Sequence, residues 1–286
     1  MKVHDIKKLV EDKLLHFFSP NEVQSLTHIL LLHFAKLSRV ESILQKDSEL
    51  PQSIVEPILV AVDRLQNFEP IQYILGETDF YGLPFIVNNA VLIPRQETEE
   101  LVDMVIKTCK NENRHLKIID ICTGSGCIAV SLAHFLPKSS VFAFDISVEA
   151  LNVAKKNALK NNTEISFSQT DIFNLPNNFL SEYQFDIIVS NPPYVRNSEK
   201  KLMHNNVLLH EPQIALFVDD NEPLIFYKAI ADFAILKLKS SGKIFLEINE
   251  FLGYDTKNLF QNIGFVNVEL HNDINGKTRF LTAQKF

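Results

Sequence analysis

The hydrophobic positions in the first 75 residues repeat with the period of an α-helix. From Val3 to Phe17 they recur about every 3.6 residues, which places them on one face of a helix. A second such run follows Ser19-Pro20-Asn21-Glu22, a capping box with proline at the first helical position. Ser53 and Glu56 repeat the capping signal before a third run. The pattern therefore predicts an all-helical N-terminal domain, which we place at residues 1–76.

The pattern changes in the segment that follows this domain. The stretches from Thr78 to Tyr81 and from Phe85 to Val87 have the composition of β-strands, and they flank Gly82-Leu83-Pro84. This arrangement predicts a β-hairpin with its turn at the glycine and proline. We place the linker between two domains here, at residues 77–95.

From residue 96 onward, short apolar runs alternate with amphipathic segments of helical period. The predicted strands are Lys117–Ile121, Val141–Phe144, Ile165–Ser168, Phe185–Val189, Lys243–Ile248, Phe265–Leu270 and Thr278–Thr282. Such alternation implies a mostly parallel sheet with helices on both faces. We therefore expect an α/β domain at residues 96–286, whose ligand lies beyond the carboxyl ends of the strands.

The composition narrows the class of protein. Hydrophobic residues make up 46% and charged residues 22%, as in globular proteins, so disorder is excluded as the main state. The net charge of −7 disfavours tight non-specific binding of nucleic acid. Cys109, Cys122 and Cys127 contain no CxxC pair, and we expect free thiols in a reducing cytoplasm. We find no signal peptide and no apolar run of the ~18 residues that a membrane helix needs, so we expect a cytoplasmic protein.

A glycine-rich turn follows the first strand of the alternating region. It reads Asp120-Ile121-Cys122-Thr123-Gly124-Ser125-Gly126, and its glycines let the backbone approach a ligand next to free N–H groups of a helix start. Asp145 ends the next strand and suits a ribose diol, because a carboxylate accepts two hydroxyl hydrogen bonds. With Ala129, the turn also fits a dinucleotide fingerprint. Asp120 favours S-adenosylmethionine, since its carboxylate would pair with an ammonium group and repel a pyrophosphate.

The segment Asn191-Pro192-Pro193-Tyr194 is the candidate for the chemistry. Its two prolines fix the backbone after a predicted strand. The Asn191 side chain and the Pro192 carbonyl can then accept both hydrogens of a planar –NH₂ group. Tyr194 offers an aromatic face to that group and to a sulfonium methyl. This arrangement favours attack by a weak amide or exocyclic nitrogen on a methyl group, a reaction that needs no metal.

Longer segments carry a resemblance to a known family. They are Glu69–Gly76, Phe80–Leu83, Val91–Glu99, Ser190–Tyr194 and Glu211–Leu216. With the glycine turn, they resemble the release factor glutamine methyltransferases of the PrmC/HemK type. The resemblance covers nearly the whole chain and is weakest over residues 1–65. It implies a seven-stranded Rossmann-like methyltransferase domain, a small all-α N-terminal domain that docks the substrate, and a β-hairpin linker.

The resemblance also implies an activity. Members of the family methylate the side-chain amide nitrogen of the glutamine in the Gly-Gly-Gln motif of bacterial class 1 peptide-chain release factors. The donor is S-adenosyl-L-methionine, the product is S-adenosyl-L-homocysteine, and no metal is needed. We expect a monomer that forms no stable complex with nucleic acid or membrane.

Two other functions stay open at this point. The first is methylation of an exocyclic amine of rRNA or DNA bases, which the acidic net charge disfavours. The second is a non-catalytic nucleotide-binding module, which the intact Asn-Pro-Pro-Tyr segment disfavours. A dehydrogenase is the least favoured alternative.

The resemblance and the chemistry of the residues together give the candidate site residues. The candidates for binding the donor are Asp120, Cys122, Thr123, Gly124, Ser125, Gly126, Asp145, Ile146, Asp171, Ile172 and Asn191. The candidates for catalysis and substrate binding are Asn191, Pro192, Pro193 and Tyr194, with Arg95 and Glu211 as further substrate contacts. Two positions depart from the family pattern. Cys122 stands where the loop usually has glycine, and Ile172 stands where an aromatic residue often stacks on adenine.

Overall fold

The computed structural model describes residues 1–110, 112 and 114–286, and the chain divides into two compact units. The smaller unit comprises Met1–Gly76 with His204–His210, and the larger unit comprises Glu77–Met203 with Glu211–Phe286. This division differs from the predicted one in two places. The hairpin belongs to the larger unit instead of forming a separate linker, and residues 204–210 group with the N-terminal helices.

The smaller unit is helical, as its periodicity predicts. Its N-terminal helices are α1 (Val3–Leu14), α2 (Pro20–Ala35), α3 (Arg39–Leu44), α4 (Gln52–Gln66) and α5 (Ile71–Leu75). One face of α1 supplies Val3, Ile6, Val10 and Leu14 to a core that it shares with α2 and α4. That shared apolar face is what holds these helices together, because isolated helices of this length are marginal in water.

The predicted helix caps have mixed outcomes. The Ser19 side chain accepts a hydrogen bond from the Glu22 backbone N–H at 3.4 Å, as predicted for the start of α2. The prediction at Ser53 is wrong, because α4 begins at Gln52 and Ser53 lies inside it. Pro51 precedes the helix in an extended conformation, with φ −67° and ψ 155°, and no side chain caps that end.

The larger unit contains the predicted alternation of strands and helices. In chain order its elements are β1 (Glu77–Phe80), β2 (Leu83–Ile86), α6 (Gln96–Cys109), β3 (Lys117–Ile121), α7 (Cys127–Phe135), β4 (Ser140–Asp145), α8 (Val148–Lys160), β5 (Ile165–Gln169), β6 (Phe185–Ser190) and β7 (Val195–Arg196). After α9 (Asn205–His210), which groups with the smaller unit, follow β8 (Phe217–Val218), α10 (Ile225–Lys237), β9 (Leu238–Glu247), α11 (Gly253–Ile263), β10 (Val266–Asn272) and β11 (Thr278–Gln284). Short 3₁₀ turns lie at Asn197–Leu202 and Gln213–Ala215.

Seven strands form one sheet in the order β10-β11-β9-β6-β3-β4-β5. The pairs from β9 to β5 are parallel, and β11 inserts antiparallel between β9 and β10. Ile121 at the end of β3 lies opposite Phe144 of β4 on one side and Ser190 of β6 on the other. The loops after β3, β4 and β6 therefore emerge side by side, and these are the loops that carry the candidate site.

The core of the larger unit lies on both faces of this sheet. Alternate residues of a strand point to opposite faces, so Ile118 joins one apolar cluster with α6 and α7 while Ile119 joins the other with α10. Every residue of β6 is buried, as expected for a central strand that is covered on both sides. The predicted α/β fold class is therefore confirmed.

The hairpin of β1 and β2 has a tighter turn than the sequence pattern predicts. Phe80 pairs with Leu83, so the turn consists of Tyr81 and Gly82, with φ values of 49° and 74°. Two positive φ values match the type I′ turn that suits two-residue hairpins. Pro84 consequently lies within β2, opposite Asp79, and the prediction of Gly82-Leu83-Pro84 as the turn is wrong.

In the described part of the chain, no helix is both long and apolar enough to cross a membrane.

Candidate active site

A cavity of about 240 Å³ opens within the larger unit, where β3, β4 and β6 end. Most of the residues that the sequence predicts for the site line it: Arg95, Cys122, Thr123, Gly124, Ser125, Asp145, Ile146, Asp171, Ile172, Asn191 and Pro193. Asp120, Gly126, Pro192 and Glu211 are buried and, like Tyr194, are not among the residues that line it. The structure thus brings most of the predicted residues to one cavity.

The loop after β3 runs through three left-handed residues. Cys122, Gly124 and Gly126 have φ values of 60°, 55° and 78°. Gly126 precedes α7, and a Cβ at this position would lie 2.9 Å from the Cβ of Ala154. Both the positive φ and the close approach of α8 therefore require glycine there. Cys122 adopts the same region with a side chain, which costs ~1–2 kcal/mol.

Asp145 ends β4, lines the cavity and is hydrogen-bonded to the glycine loop. Its Oδ2 accepts a hydrogen bond from the Gly124 N–H at 2.8 Å, and its Oδ1 accepts one from the Ser147 N–H at 3.0 Å. Each oxygen of a carboxylate has a second lone pair, so both can also accept a hydroxyl hydrogen. Burial raises the pKa of Asp145, while the backbone donors oppose that effect. The geometry fits a ribose diol.

Asp120 lies beneath the glycine loop, buried from solvent. Its Oδ2 accepts a hydrogen bond from the Thr123 hydroxyl at 2.6 Å, and its Oδ1 has no partner among the described residues. Burial raises the pKa of Asp120 to about 7. The carboxyl group supports the loop from behind, whereas the sequence predicts that it pairs with the ammonium of a ligand.

The far wall of the cavity is more aromatic than the sequence predicts. Ile172 packs into the core of the larger unit, and Asp171 accepts a hydrogen bond from the Phe173 N–H at 2.9 Å. Phe173 and Phe226 both line the cavity, with ring centroids 4.8 Å apart. They supply flat apolar surface although Ile172 itself is aliphatic. The sequence signal for Phe173 was its place one residue after Ile172; Phe226 lies on α10 and had none.

Asn191 is held by a chain of hydrogen bonds from two distant segments. Its Nδ2 donates to the Thr98 Oγ1 at 3.0 Å, and the Thr98 hydroxyl donates to the Glu247 Oε2 at 2.6 Å. The other oxygen of Glu247 accepts a hydrogen bond from the Tyr194 hydroxyl at 2.8 Å. We call these four residues, Asn191, Thr98, Glu247 and Tyr194, the relay. Sequence reasoning found its first and last members but missed Thr98 and Glu247.

The electrostatics of the relay follow from its burial. Glu247 is 2% exposed, and burial raises its pKa. The hydroxyls of Thr98 and Tyr194 and the positive charge of Arg279 oppose that rise by stabilising the carboxylate. Burial, followed by the neighbouring Glu247, raises the pKa of Tyr194 well above its usual value, so this phenol stays protonated. Tyr194 can therefore act as a donor to Glu247 at any physiological pH.

Arg95 and Glu211 form an ion pair at the rim of the site. The Arg95 Nη2 lies 2.5 Å from the Glu211 Oε1, and the other Glu211 oxygen accepts a hydrogen bond from the Ile93 N–H at 3.2 Å. Glu211 is buried, whereas Arg95 is partly exposed and lines the cavity. Of the described residues in the cavity wall, Arg95 is the only lysine or arginine. Glu211 therefore affects the site indirectly, because its ion pair holds the guanidinium of Arg95 in place at the cavity wall.

A further buried residue that sequence reasoning missed, Asn157, ties the glycine loop to the hairpin. The Asn157 Oδ1 accepts a hydrogen bond from the Ile86 N–H at 2.6 Å, and its Nδ2 donates to the carbonyls of Ser125 and Ile86. Asn157 is fully buried and its amide is bonded at both ends. Because a buried amide without partners is costly, this pattern fixes the hairpin against the loop.

The cysteines and acidic residues show no further reactive arrangement. Burial raises the pKa of Cys109 to about 11 and that of Cys127 to about 12, so both are protonated thiols at neutral pH. Within residues 1–110, 112 and 114–286, we find no group of three or more His, Cys, Asp or Glu side chains that could hold a metal ion.

Comparison with known proteins gives matches along nearly the whole chain. A family model described as the methyltransferase small domain matches residues 96–274, and one described as the PrmC N-terminal domain matches residues 19–76. The release factor glutamine methyltransferase of Flavobacterium psychrophilum is 47% identical over 266 residues, which is 92% of this chain and 92% of that protein. That of Bacteroides thetaiotaomicron is 39% identical over 280 residues, which is 98% of this chain and 99% of that protein.

A solved structure shares the fold at low identity. A 16S rRNA methyltransferase from T. thermophilus, solved with AdoMet and guanosine, matches 73% of this chain and 50% of its own with a TM-score of 0.51. The identity is 18%, so the likeness concerns the fold alone.

The fold, the cavity and these matches define an S-adenosylmethionine-dependent methyltransferase. The two relatives from Flavobacterium and Bacteroides cover nearly its whole length at 47% and 39% identity. The chain belongs to the release factor glutamine methyltransferase family. The resemblance seen in the sequence is thereby confirmed.

Proposed function

We propose that this enzyme methylates the side-chain amide nitrogen of the glutamine in the Gly-Gly-Gln motif of class 1 peptide-chain release factors. One observation carries the proposal. The Nδ2 of Asn191 is engaged by Thr98, and the Oδ1 of Asn191 has no donor among the described residues. Asn191 also lines the cavity, so it offers a hydrogen-bond acceptor there. A primary carboxamide is a planar group with two N–H donors and suits such an acceptor.

The donor half of the cavity fits S-adenosylmethionine by the chemistry of its residues. Asp145 offers two carboxylate oxygens to a ribose diol, and Phe173 with Phe226 offers a flat apolar wall to an adenine. The guanidinium of Arg95 can pair with the carboxylate of an amino-acid tail. When bound, the donor supplies a methyl group on a positively charged sulfur.

The protein contributes positioning to the transfer step. Asn191 and the Pro192 carbonyl accept the two amide hydrogens, which holds the nitrogen in line with the methyl group and supports the positive charge that develops on it. Tyr194 packs against the amide plane. The nitrogen forms a bond to the methyl carbon as the carbon–sulfur bond breaks, and the nitrogen then loses a proton to solvent. Orientation of this kind can lower a barrier by ~7–11 kcal/mol.

The domain roles and the setting form part of the same proposal. We assign substrate docking to residues 1–76, in keeping with the match to the PrmC N-terminal domain. In α3, Val40, Ile43 and Leu44 are exposed, and apolar side chains in such a position suit contact with a protein. We further propose that the enzyme acts in the cytoplasm as a monomer, without stable binding to nucleic acid and without a metal.

The test uses purified enzyme, tritiated S-adenosylmethionine and two acceptors. One acceptor is a class 1 release factor, and the other is the same protein with Gln→Ala in its Gly-Gly-Gln motif. We expect label on the first and none on the second. Equal labelling of both would contradict the assignment of the target, and labelling of rRNA or DNA instead would support the base-amine alternative.

A further inference from the structure

We infer that Thr98 and Glu247 are positioning residues that fix which way the Asn191 amide faces. The inference rests on the proposed function, in which the Oδ1 of Asn191 accepts a hydrogen from the target amide. It adds that this acceptor is presented only because of two side chains outside the Asn-Pro-Pro-Tyr segment. Neither of the two contacts the target nitrogen in this assignment.

The direction of each hydrogen bond follows from counting protons. The hydroxyls of Thr98 and Tyr194 and the charge of Arg279 stabilise the ionised form of Glu247 against burial, which raises its pKa. We take Glu247 as ionised, so it can only accept, and the threonine hydroxyl has one hydrogen to give. At 2.6 Å from the Glu247 Oε2, the Thr98 hydroxyl gives its hydrogen to the carboxylate. Its oxygen must then accept from Asn191 at 3.0 Å, and only the Nδ2 of Asn191 can donate.

The opposite amide orientation is disfavoured by the same count. If the Asn191 amide were flipped, its Oδ1 would face the Thr98 oxygen with no hydrogen between them. The amide would also lose its donor bond and present N–H groups to a substrate that itself carries N–H groups. The carboxylate of Glu247 therefore orients the Thr98 hydroxyl, and Thr98 orients the Asn191 amide so that its oxygen faces the N–H groups of a substrate amide.

Glu247 also connects the two ends of the Asn-Pro-Pro-Tyr segment. Its Oε1 takes the hydrogen of the Tyr194 hydroxyl, while its Oε2 takes that of Thr98. The Asn249 side chain donates to the Tyr194 carbonyl at 3.0 Å and holds the segment from the same strand end. One buried carboxylate thus orients both the acceptor oxygen and the aromatic ring.

The burial of Glu247 argues that this role concerns orientation more than stability. Apolar residues of similar volume can fill such a position at equal or lower free energy, because a buried charge must be desolvated. Glu247 is 2% exposed, and its two oxygens accept hydrogen bonds from the hydroxyls of Thr98 and Tyr194. Thr98 in turn contacts Asn191, and Tyr194 belongs to the same Asn-Pro-Pro-Tyr segment. A carboxylate is needed here because it accepts in two directions at once.

The main test replaces Thr98 by valine, which keeps the shape and removes the hydroxyl. We expect kcat on a release factor to fall ~10–100-fold, as for loss of a preorganised polar contact, with S-adenosylmethionine affinity within ~3-fold of wild type. Thr98→Ser restores the hydroxyl and should restore kcat to within ~3-fold. Thr256→Val is the matched control, because the buried hydroxyl of this α11 residue donates only to the carbonyl of Leu252, just before the helix, at 2.8 Å.

A second readout reports the amide orientation itself. The ratio of the Ki of a Gln→Glu release factor to the KM of the native release factor measures the preference for an amide over a carboxylate. Thr98→Val frees the Asn191 amide to flip, and its N–H groups can then donate to the carboxylate, so the ratio should fall ~10-fold. Glu247→Gln should lower kcat as well, because glutamine offers one acceptor oxygen where glutamate offers two.

The outcomes separate this inference from the proposed function. If the wild type methylates the release factor but Thr98→Val keeps both kcat and the selectivity ratio, the inference is wrong and the function stands. If Thr98→Ser is as impaired as Thr98→Val, the hydroxyl is irrelevant and the inference is again wrong. If the wild type fails on the release factor, the proposed function falls and takes the inference with it.

Discussion

The cavity has two halves, and the chain assembles them in different ways. The centre of the donor half is the glycine loop of residues 122–126 with the strand end at Asp145, and local backbone geometry fixes this part. The acceptor half is the relay, whose members come from the start of α6, the loop after β6 and the end of β9. Residues that are close in sequence can be recognised as a motif, as in the glycine loop. When a site is assembled from distant segments, the sequence reveals only those members that are neighbours along the chain, as with Asn191 and Tyr194.

The largest expected effect comes from removing the end of the relay that faces the substrate. Asn191→Ala should lower kcat ~10²–10³-fold, since it deletes a preorganised polar group at the reacting nitrogen. Binding of labelled S-adenosylmethionine, measured by equilibrium dialysis, should change less than ~3-fold, because the donor half stays intact. Asn258→Ala, an exposed position on α11, is the control. An equal loss of donor binding and turnover would break the division into two halves.

The donor half is best tested at Gly126. In Gly126→Ala, the new Cβ meets both a positive φ and Ala154 at 2.9 Å, so the free energy of unfolding should fall by about 2–4 kcal/mol. Donor affinity should weaken ~10-fold as the loop shifts. Gly276→Ala is the matched control, since its φ of 80° is close to the 78° of Gly126 but nothing lies within 4 Å of its Cβ, and about 1–2 kcal/mol is expected there. Urea unfolding measures both, and equal losses would show that crowding plays no part.

The support beneath the donor half predicts a pH dependence of stability. Burial raises the pKa of Asp120 from 3.8 to about 7, so its favourable contribution is full below pH 3.8 and is lost as pH rises through 7. Asp120→Asn cannot ionise and keeps an oxygen for Thr123. Between pH 5 and pH 8, the variant should gain about 2 kcal/mol relative to wild type in unfolding free energy. A difference that is constant with pH would show that Asp120 ionises normally in the folded protein.

The smallest expected effect concerns the strain at Cys122. Its φ of 60° is easy for glycine and costly for any residue with a Cβ. Cys122→Gly should therefore be more stable than Cys122→Ala by about 1 kcal/mol, the reverse of the usual order of these two residues. Thermal unfolding of the pair gives the comparison. The usual order, with alanine more stable, would mean that the loop relaxes out of the left-handed region.

The sequence allowed much of the larger unit to be predicted, because its strands are buried on both faces and form continuous apolar runs. β3 was predicted with its observed bounds, Lys117–Ile121. The strand predicted from Lys243 begins instead at Leu238, since polar Ser240 and Ser241 interrupt its pattern where its pairing with β6 shifts register. The two-residue strands β7 and β8 escaped prediction because two residues carry no period.

The candidate site divides in the same way. Gly124 and Asp145 could be predicted from neighbouring residues, because Gly124 lies in a glycine-rich turn and Asp145 ends an apolar strand. Thr98 could not, because a threonine in the first turn of a helix is ordinary until a carboxylate 149 residues away is known to lie beside it. Phe226 was missed for the same reason, since nothing in the sequence of α10 indicates which of its faces meets the cavity.

Glu247 accepts hydrogen bonds with both carboxylate oxygens, and this arrangement sets thermal stability against catalytic turnover at the same residues. Burying an acid between two hydroxyls costs desolvation that an apolar cluster of equal volume avoids. A laboratory selection for thermal tolerance alone would therefore be expected to replace Glu247, Thr98 and Tyr194 with apolar side chains and to produce a sturdier protein that no longer methylates. Ancestral and engineered variants of this chain can thus be classified as active or inactive by whether the side chains at these three positions can still form hydrogen bonds with one another.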